Sequence, residues 1–250
     1  MAKTKLYALD FDGVICDSAV ETGITGWKVA SKVWTDMPQD IPNDIVDLFR
    51  HVRPVMETGY EAALIMRHLF EGVSPDSLLK SFDKYLRHLV RRDEINLERL
   101  KLRFGETRDN WILDNQDEWV EMNPLFDGIT EKLGMIDHRN ATIITTKQER
   151  FVSKILQANM ISFPTERIFG LDRQLSKPQI LSNLLNSHPD HEILFVEDRL
   201  PTLFNVIDNE NLAEVKLYFA DWGYNTSEDK QQAAKSEQIM TLSLGDFAEL

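Results

Sequence analysis

Two aspartates near the amino terminus have the residue type and spacing that phosphoryl transfer requires. Asp10 directly follows the apolar run 6–9, and Asp12 comes two residues later, just before Gly13. In open α/β sheets, ligands bind at the carboxyl ends of the strands. One carboxylate at such a position can attack a phosphoryl group, while a second exchanges protons with the leaving group and with water. Asp10 is therefore the candidate nucleophile, and Asp12 is the candidate acid and base.

The same chemistry needs groups that bind the phosphoryl oxygens, and two later segments offer them. Thr145 and Thr146 follow a second apolar run, where a hydroxyl group and the first amides of the next helix can donate hydrogen bonds to an anion. Lys177 precedes Pro178, which is suited to the first turn of a helix. Its ammonium group can offset the charge of the nucleophile and the phosphate. We predict that Thr145, Thr146 and Lys177 bind phosphate.

A third segment supplies further carboxylates. The continuous apolar run 193–196, typical of a strand buried on both faces, ends on Glu197 and Asp198. Oxygen ligands at two strand ends suit Mg²⁺, which one or two carboxylates usually hold together with substrate phosphate. We predict Asp10 and Asp198 as direct ligands, with Glu197 in the same site. Each residue alone is more often a helix cap, a surface lysine or a turn residue, but their combination at successive strand ends outweighs that interpretation.

The elements that position these residues follow from two different periodicities. Short runs rich in β-forming residues predict strands, and the helical segments between them from residue 145 onward predict a parallel sheet with helices on both faces. The candidate strands span residues 6–9, 141–145, 167–169, 193–196, 215–220 and 238–242. This alternation predicts an α/β fold.

A long segment between the first two strands has a different pattern. From about residue 19 to residue 119 no strand is evident, and apolar residues recur at spacings of three and four. The segment ends near Pro124 and Gly128, which suit a return of the chain. We predict a catalytic core formed by residues 1–18 and 123–250, with an inserted, all-helical cap domain formed by residues 19–122.

Composition excludes several classes of protein. The chain has 250 residues, and its 28 Lys and Arg against 41 Asp and Glu give a net charge of −13, which opposes binding to nucleic acid or anionic lipid. The single cysteine, Cys16, excludes an intramolecular disulfide, and the six scattered histidines do not suggest a zinc site. No signal peptide or membrane span is evident, so we expect a cytoplasmic protein or its equivalent in an organelle.

Taken in order, the four segments resemble the four motifs of the haloacid dehalogenase-like hydrolase superfamily, in its phosphatase and phosphomutase branch with a helical cap. They are the Asp10 segment, Thr145, Lys177 with Pro178, and Glu197 with Asp198. The resemblance implies a Rossmann-like sheet, an aspartyl-phosphate intermediate, and Mg²⁺ as cofactor. It also implies that the backbone carbonyl of Asp12 is a further metal ligand.

Some details of the resemblance bear on the reaction and its substrate. Family members that cleave carbon–halogen bonds lack the second aspartate, so Asp12 favours phosphoryl chemistry. The segment 222–224, Trp-Gly-Tyr, is similar to phosphoglycolate phosphatases, whereas the pair Glu197 and Asp198 is more like β-phosphoglucomutase. Helical caps in the family often place a polar residue over the active site, and Arg53 is the candidate for that role.

The sequence therefore predicts a phosphoric monoester hydrolase: a Mg²⁺-dependent phosphatase acting on a small phosphorylated metabolite. A phosphomutase acting on a sugar phosphate is the nearest alternative, because an aspartyl phosphate can also be passed to a second hydroxyl group. A regulatory or binding module with the same fold is a third possibility. It has no chemical need for a nucleophile, an acid and metal ligands together. The identity of the metabolite and the oligomeric state stay open.

Overall fold

A six-stranded sheet is the central feature of the computed structural model, which describes residues 3–250. All neighbouring strands run parallel, and their order across the sheet is β3-β2-β1-β4-β5-β6. The strands are β1 (Thr4–Leu9), β2 (Ala141–Ile144), β3 (Ile168–Phe169), β4 (His191–Glu197), β5 (Lys216–Ala220) and β6 (Ile239–Leu242). Each observed strand overlaps a predicted one, and the predicted α/β class with a Rossmann-like parallel sheet is confirmed.

The chain forms two compact units. One, the core unit, contains the sheet and comprises the described residues up to Asp17 together with Leu125–Leu250; the other, the helical unit, is Ser18–Pro124. The predicted boundaries followed residues 18 and 122, and the observed ones follow Asp17 and Pro124. That the core unit is catalytic and the helical unit acts as a cap stays a prediction.

The helical unit contains no strand in its described residues, as its sequence pattern predicts. Its core includes two large side chains that are fully buried, those of Trp27 and Phe49. Its helices are α1 (Ala19–Val33), α2 (Ile45–Val52), α3 (Glu61–Phe70), α4 (Pro75–Arg92), α5 (Leu97–Asp114) and α6 (Gln116–Glu121).

The helical unit also buries an ion pair. The guanidinium group of Arg108 in α5 donates from Nε to Oε1 of Glu21 at 2.8 Å and from an Nη atom to Oε2 at 2.6 Å. Thr25 and Trp119 also donate to Oε1 of Glu21, at 2.7 and 3.1 Å. Both carboxylate oxygens of this fully buried glutamate therefore accept strong hydrogen bonds, as a buried charge requires.

The strands of the core unit bury apolar side chains. Leu6 and Ala8 of β1 pair in register with Ile193 and Phe195 of β4, and all four are buried. The core helices are α7 (Ile129–Met135), α8 (Glu149–Ala158), α9 (Lys177–Ser187), α10 (Leu200–Ile207), α11 (Ser227–Lys235) and α12 (Leu244–Glu249).

Helix α9 begins with a capping box formed by Ser176 and Gln179, with Pro178 in the first turn. These features place Lys177 at its first residue. Among the described residues, no helix combines the length and apolar composition that a membrane span needs.

Candidate active site

The predicted site residues of the core unit come together at one edge of the sheet. Strand β1 lies between β2 and β4; β2 and β3 continue the sheet on one side, and β4 to β6 continue it on the other. This reversal of strand order creates a crevice at the carboxyl ends, the usual ligand site of doubly wound sheets. Asp10 and Thr145 follow β1 and β2, and Glu197 ends β4.

The turn after β1 brings the two aspartates to this edge. The amide of Asp10 still donates to the carbonyl of Val196 in β4 at 3.0 Å, so the strand pairing extends to the nucleophile candidate. Gly13 then adopts a φ of 91°, which disfavours any residue with a side chain. Any Cβ at Gly13 would also overlap the Asp198 carboxylate. The glycine therefore lets the turn approach the acidic residues that follow β4.

Three buried carboxylates form a cluster at the site. Asp10, Glu197 and Asp198 each offer an oxygen, and these oxygens lie within 4.8 Å of one another. Lys177 donates to Oε2 of Glu197 at 2.6 Å and forms an ion pair with Oδ1 of Asp10 at 2.9 Å. The ammonium group of Lys177 thus contacts two of the three acidic side chains, those of Asp10 and Glu197.

The pKa values of Asp10 and Lys177 reflect their burial and the charges beside them. Burial, followed by the charge of Glu197, raises the pKa of Asp10 to about 7, although the ammonium of Lys177 acts in the opposite direction. Burial alone would lower the pKa of Lys177, but the carboxylates of Asp10 and Glu197 outweigh it and hold that pKa above its usual range. The lysine therefore stays charged.

These residues fit a divalent cation. The donors are all carboxylate oxygens, which hard cations such as Mg²⁺ prefer, and they lie close enough together to bind one ion. The side chain of Asp12 does not belong to the cluster, which leaves the predicted role of its backbone carbonyl as a ligand untested.

Asp12 instead forms an ion pair with a different lysine, Lys147. The Nζ atom of Lys147 donates to Oδ1 of Asp12 at 2.7 Å, and the Lys147 side chain is 1% exposed. Lys147 belongs to the segment that includes Thr145 and Thr146, but its sequence pattern alone assigns it no role. A lysine two residues after a strand is normally a surface residue, so only the folded structure distinguishes this one.

Thr145 lies where a phosphate ligand is expected. Its amide donates to the carbonyl of Phe169 in β3 at 2.9 Å, and its side chain accepts a hydrogen bond from the amide of Lys147 at 3.0 Å. The residue is buried at the carboxyl end of β2, while Thr146 is half-buried in the turn that leads to α8. Phosphate binding by these threonines stays a prediction.

A loop after β5 holds Asp198 in place. The amide of Tyr224 donates to Oδ2 of Asp198 at 2.6 Å, and Nδ2 of Asn225 donates to the Asp198 carbonyl at 3.3 Å. A Cβ at Gly223 would overlap both the Asp198 side chain and the carbonyl of Gly13. The Trp-Gly-Tyr segment therefore helps to hold Asp198, a candidate metal ligand, in place.

Solved structures of other proteins share this fold. No protein-family model and no curated protein sequence matches the chain. Among solved structures, a predicted phosphoglycolate phosphatase from Haemophilus somnus 129PT is 17% identical with a TM-score of 0.60, covering 100% of this chain and 97% of that one. A haloacid dehalogenase-like family hydrolase from Streptococcus pneumoniae is 14% identical with a TM-score of 0.51, covering 95% and 93%. The chain has the haloacid dehalogenase-like fold.

A third structure with this fold contains ligands. It is a HAD family hydrolase from Deinococcus radiodurans R1 with bound phosphate and sodium, 11% identical with a TM-score of 0.51, and it covers 100% of this chain and 94% of its own. Identities this low establish the haloacid dehalogenase-like fold and leave activity to be argued from the site.

The structure brings together most, but not all, of the residues that the sequence singled out. Asp10, Lys177, Glu197 and Asp198 are in mutual contact or within one cluster of the core unit. Arg53 belongs to the helical unit, where it is 8% exposed at the start of a short 3₁₀ turn. Its role toward a substrate stays a prediction.

Proposed function

We propose that the protein is a Mg²⁺-dependent phosphatase that hydrolyses a small phosphorylated metabolite through an aspartyl phosphate on Asp10. The observation that carries this proposal is the buried cluster of Asp10, Glu197 and Asp198 at the carboxyl edge of the sheet, with Lys177 against the first two. A structural role alone would not favour three carboxylates so close together, because burying like charges side by side is costly.

In the first half of the reaction, a carboxylate oxygen of Asp10 attacks the phosphorus atom. The bond between phosphorus and the leaving oxygen breaks, and Asp12 gives its proton to that oxygen. The side-chain oxygen of Thr145 accepts from the amide of Lys147, and its own hydrogen would donate to a phosphoryl oxygen. Lys177 offsets the charge of the carboxylate and the phosphate.

In the second half, a water molecule attacks the aspartyl phosphate. Asp12 accepts the proton of that water, inorganic phosphate leaves, and the carboxylate of Asp10 is restored. Asp10, Glu197 and Asp198 would hold Mg²⁺, which supplies positive charge to the transferring phosphoryl group. Every role required by hydrolysis is thereby given to a residue at the same edge of the sheet.

The substrate class is part of the proposal. One structure with the same fold is named as a predicted phosphoglycolate phosphatase, and another holds a phosphate ion. These names and the Trp-Gly-Tyr segment favour a small phosphorylated organic acid or sugar over a larger substrate. A panel of such phosphates, assayed for released phosphate, identifies the preferred one. Formation of a phosphosugar isomer without phosphate release would instead identify a phosphomutase.

The proposal is tested with p-nitrophenyl phosphate. Hydrolysis should require Mg²⁺, stop when the metal is chelated, and fall by ~10⁴-fold or more in Asp10→Asn, as expected for loss of a nucleophile. The matched control is Asp190→Asn, which replaces an exposed aspartate just before β4, at the opposite end of that strand from Glu197. Full activity in Asp10→Asn, or hydrolysis that is indifferent to chelation, would contradict the mechanism.

A further inference from the structure

Lys147 is a buried cation whose partner is the candidate acid and base. Its side chain is 1% exposed, and its Nζ atom lies 2.7 Å from Oδ1 of Asp12, whose side chain is 16% exposed. Taking an ammonium group out of water costs several kcal/mol unless an opposite charge compensates it. The Asp12 carboxylate supplies that compensation, so the lysine and the aspartate depend on each other.

The backbone of Lys147 is held on three sides. Its amide donates to the Thr145 side chain at 3.0 Å, and its carbonyl accepts from the amide of Leu171 at 3.1 Å. Gly170 packs so closely on that carbonyl that an added Cβ would lie 2.6 Å from the oxygen. The lysine therefore extends toward Asp12 from a rigid turn between β2 and α8.

The two lysines of the site form ion pairs with different aspartates. Lys177 lies against Asp10 and Glu197, within the acidic cluster, whereas Lys147 lies against Asp12, whose side chain is outside that cluster. The nucleophile candidate and the proton-transfer candidate are thus held by separate cations on separate elements, the start of α9 and the turn after β2. A hydrogen bond from Lys147 to one oxygen of Asp12 restrains rotation of the carboxylate about its Cβ–Cγ bond.

We propose that Lys147 is a positioning residue that holds the Asp12 carboxylate in the orientation needed for proton transfer to the leaving oxygen. This inference rests on the proposed phosphatase function. Lys147 transfers no proton itself: Asp12, ionised in its pair with Lys147, takes up a proton from the bound phosphate monoanion and passes it to the leaving oxygen as the bond from that oxygen to phosphorus breaks. Misplacing a catalytic group by about 1 Å costs ~10²-fold in rate, so loss of the ammonium should impair this step selectively.

The test uses two substrates of similar shape whose leaving groups differ. p-Nitrophenolate is a stable anion that departs without a proton, whereas the phenolate of phenyl phosphate is more basic and depends on an acid. The value of kcat/KM is measured, since it reports the steps up to departure of the leaving group. In Lys147→Met, kcat/KM should fall ~10- to 100-fold for phenyl phosphate and by no more than ~3-fold for p-nitrophenyl phosphate, because that step needs no general acid.

A double-mutant cycle separates positioning from direct binding of the phosphate. Asp12→Asn should show the same dependence on the leaving group, and adding Lys147→Met to it should change kcat/KM by less than ~2-fold, since residues that act as a unit are not additive. Equal losses for both substrates, with effects that multiply in the double variant, would overturn the inference and show that Lys147 acts on the phosphoryl group itself.

One control variant, one alternative variant and the activity of the wild type keep the outcomes distinct. Lys216→Met removes an exposed lysine at the start of β5 and should leave both substrates unaffected. If Lys147→Met does not fold, as judged by circular dichroism, Lys147→Gln retains a hydrogen-bond donor and carries the same comparison with a smaller loss. An inactive wild-type protein contradicts the proposed function, whereas an active wild type with equal losses for both substrates contradicts only the role of Lys147.

Discussion

The core unit and the helical unit both bury charged side chains, but they balance them differently. In the helical unit, one buried glutamate, Glu21, accepts two bonds from Arg108 and further bonds from Thr25 and Trp119. In the core unit, the carboxylates of Asp10, Glu197 and Asp198 each offer an oxygen within 4.8 Å of the others, and Lys177 contacts the first two. The first arrangement surrounds one carboxylate with donors, and the second crowds three carboxylates together.

This difference separates a structural ion pair from a candidate metal site. A carboxylate that already accepts four strong hydrogen bonds has little capacity to bind another cation. Burial, and after it the charge of Glu197, raises the pKa of Asp10, and a divalent ion would offset the charge of the crowded carboxylates. Burial of one charge alone therefore does not indicate function, whereas a buried group of carboxylates does. Four experiments test the comparison.

The largest effect on stability is expected from Arg108→Met in the helical unit. Removing one partner of a buried pair leaves an uncompensated charge on Glu21 and should cost about 3–5 kcal/mol in the free energy of unfolding. Urea denaturation measures the loss. The double variant Glu21→Gln with Arg108→Met removes the charge but keeps an amide oxygen for Thr25 and Trp119, so it should be more stable than Arg108→Met alone. A loss below ~1 kcal/mol in the single variant would mean that the pair is not structural.

The second-largest expected change in stability is the stabilisation of the core unit by Mg²⁺. A ligand that binds only the folded state at one hundred times its Kd stabilises a protein by about 2.7 kcal/mol. Thermal unfolding with increasing Mg²⁺ should show this rise in wild type and in the control Asp190→Asn, and little of it in Asp198→Asn. Without metal, Asp198→Asn should be at least as stable as wild type, since it removes one of the repelling charges. If Mg²⁺ does not raise the thermal stability of the wild type, the carboxylate cluster of the core unit is not a metal site, and the contrast with the ion pair of the helical unit is wrong.

A smaller effect is expected from Gly223→Ala, which disturbs the support of Asp198 and leaves every charge in place. The added methyl group would overlap the Asp198 side chain and the Gly13 carbonyl, so the loop must move away. Loss of such support typically weakens metal binding ~10- to 100-fold, or about 1.4–2.7 kcal/mol. Calorimetric titration with Mg²⁺ measures it. The matched control is Gly245→Ala in α12, where the nearest atom to the new Cβ lies 3.8 Å away. Equal Mg²⁺ affinity in the two variants would contradict the role of the loop.

The smallest effect concerns ion pairs of the helical unit that are closer to its surface. Burial alone would raise the pKa of Glu71, but the guanidinium groups of Arg92 and Arg67 outweigh it and hold that pKa below its usual value. Because the folded pKa is the lower one, these pairs stabilise the folded state above about pH 4.5, and the contribution is lost as the pH falls through the folded pKa.

Glu71→Gln should therefore cost about 0.5–1 kcal/mol at pH 7 and less at pH 3. Urea denaturation at the two pH values checks this, with Asp83→Asn, an exposed position on α4, as the control. A cost at pH 7 as large as that of Arg108→Met would show that burial does not distinguish the ion pairs of this unit.

Much of the fold follows from local sequence patterns. Short runs rich in β-forming residues predicted the six strands, and the continuous apolar run 193–196 is typical of a parallel strand buried on both faces. The predicted strand ends were less accurate. Strand β4 begins at His191 and not at residue 193, because the half-buried side chain of His191 does not fit the apolar pattern used for the prediction. The helical segment was recognised from spacings of three and four, which repeat along one helix face.

The sequence by itself determined which residue types stand at the strand ends: the aspartates after β1, Thr145 after β2 and the acids after β4. Only the tertiary structure decided which side chains meet. Lys147 contacts Asp12 across 135 positions of the chain, and the Tyr224 amide reaches Asp198 across 26. Such contacts depend on the order of strands in the sheet and on the path of each turn. Periodicity and composition describe only neighbours along the chain, so they cannot show which lysine lies against which carboxylate.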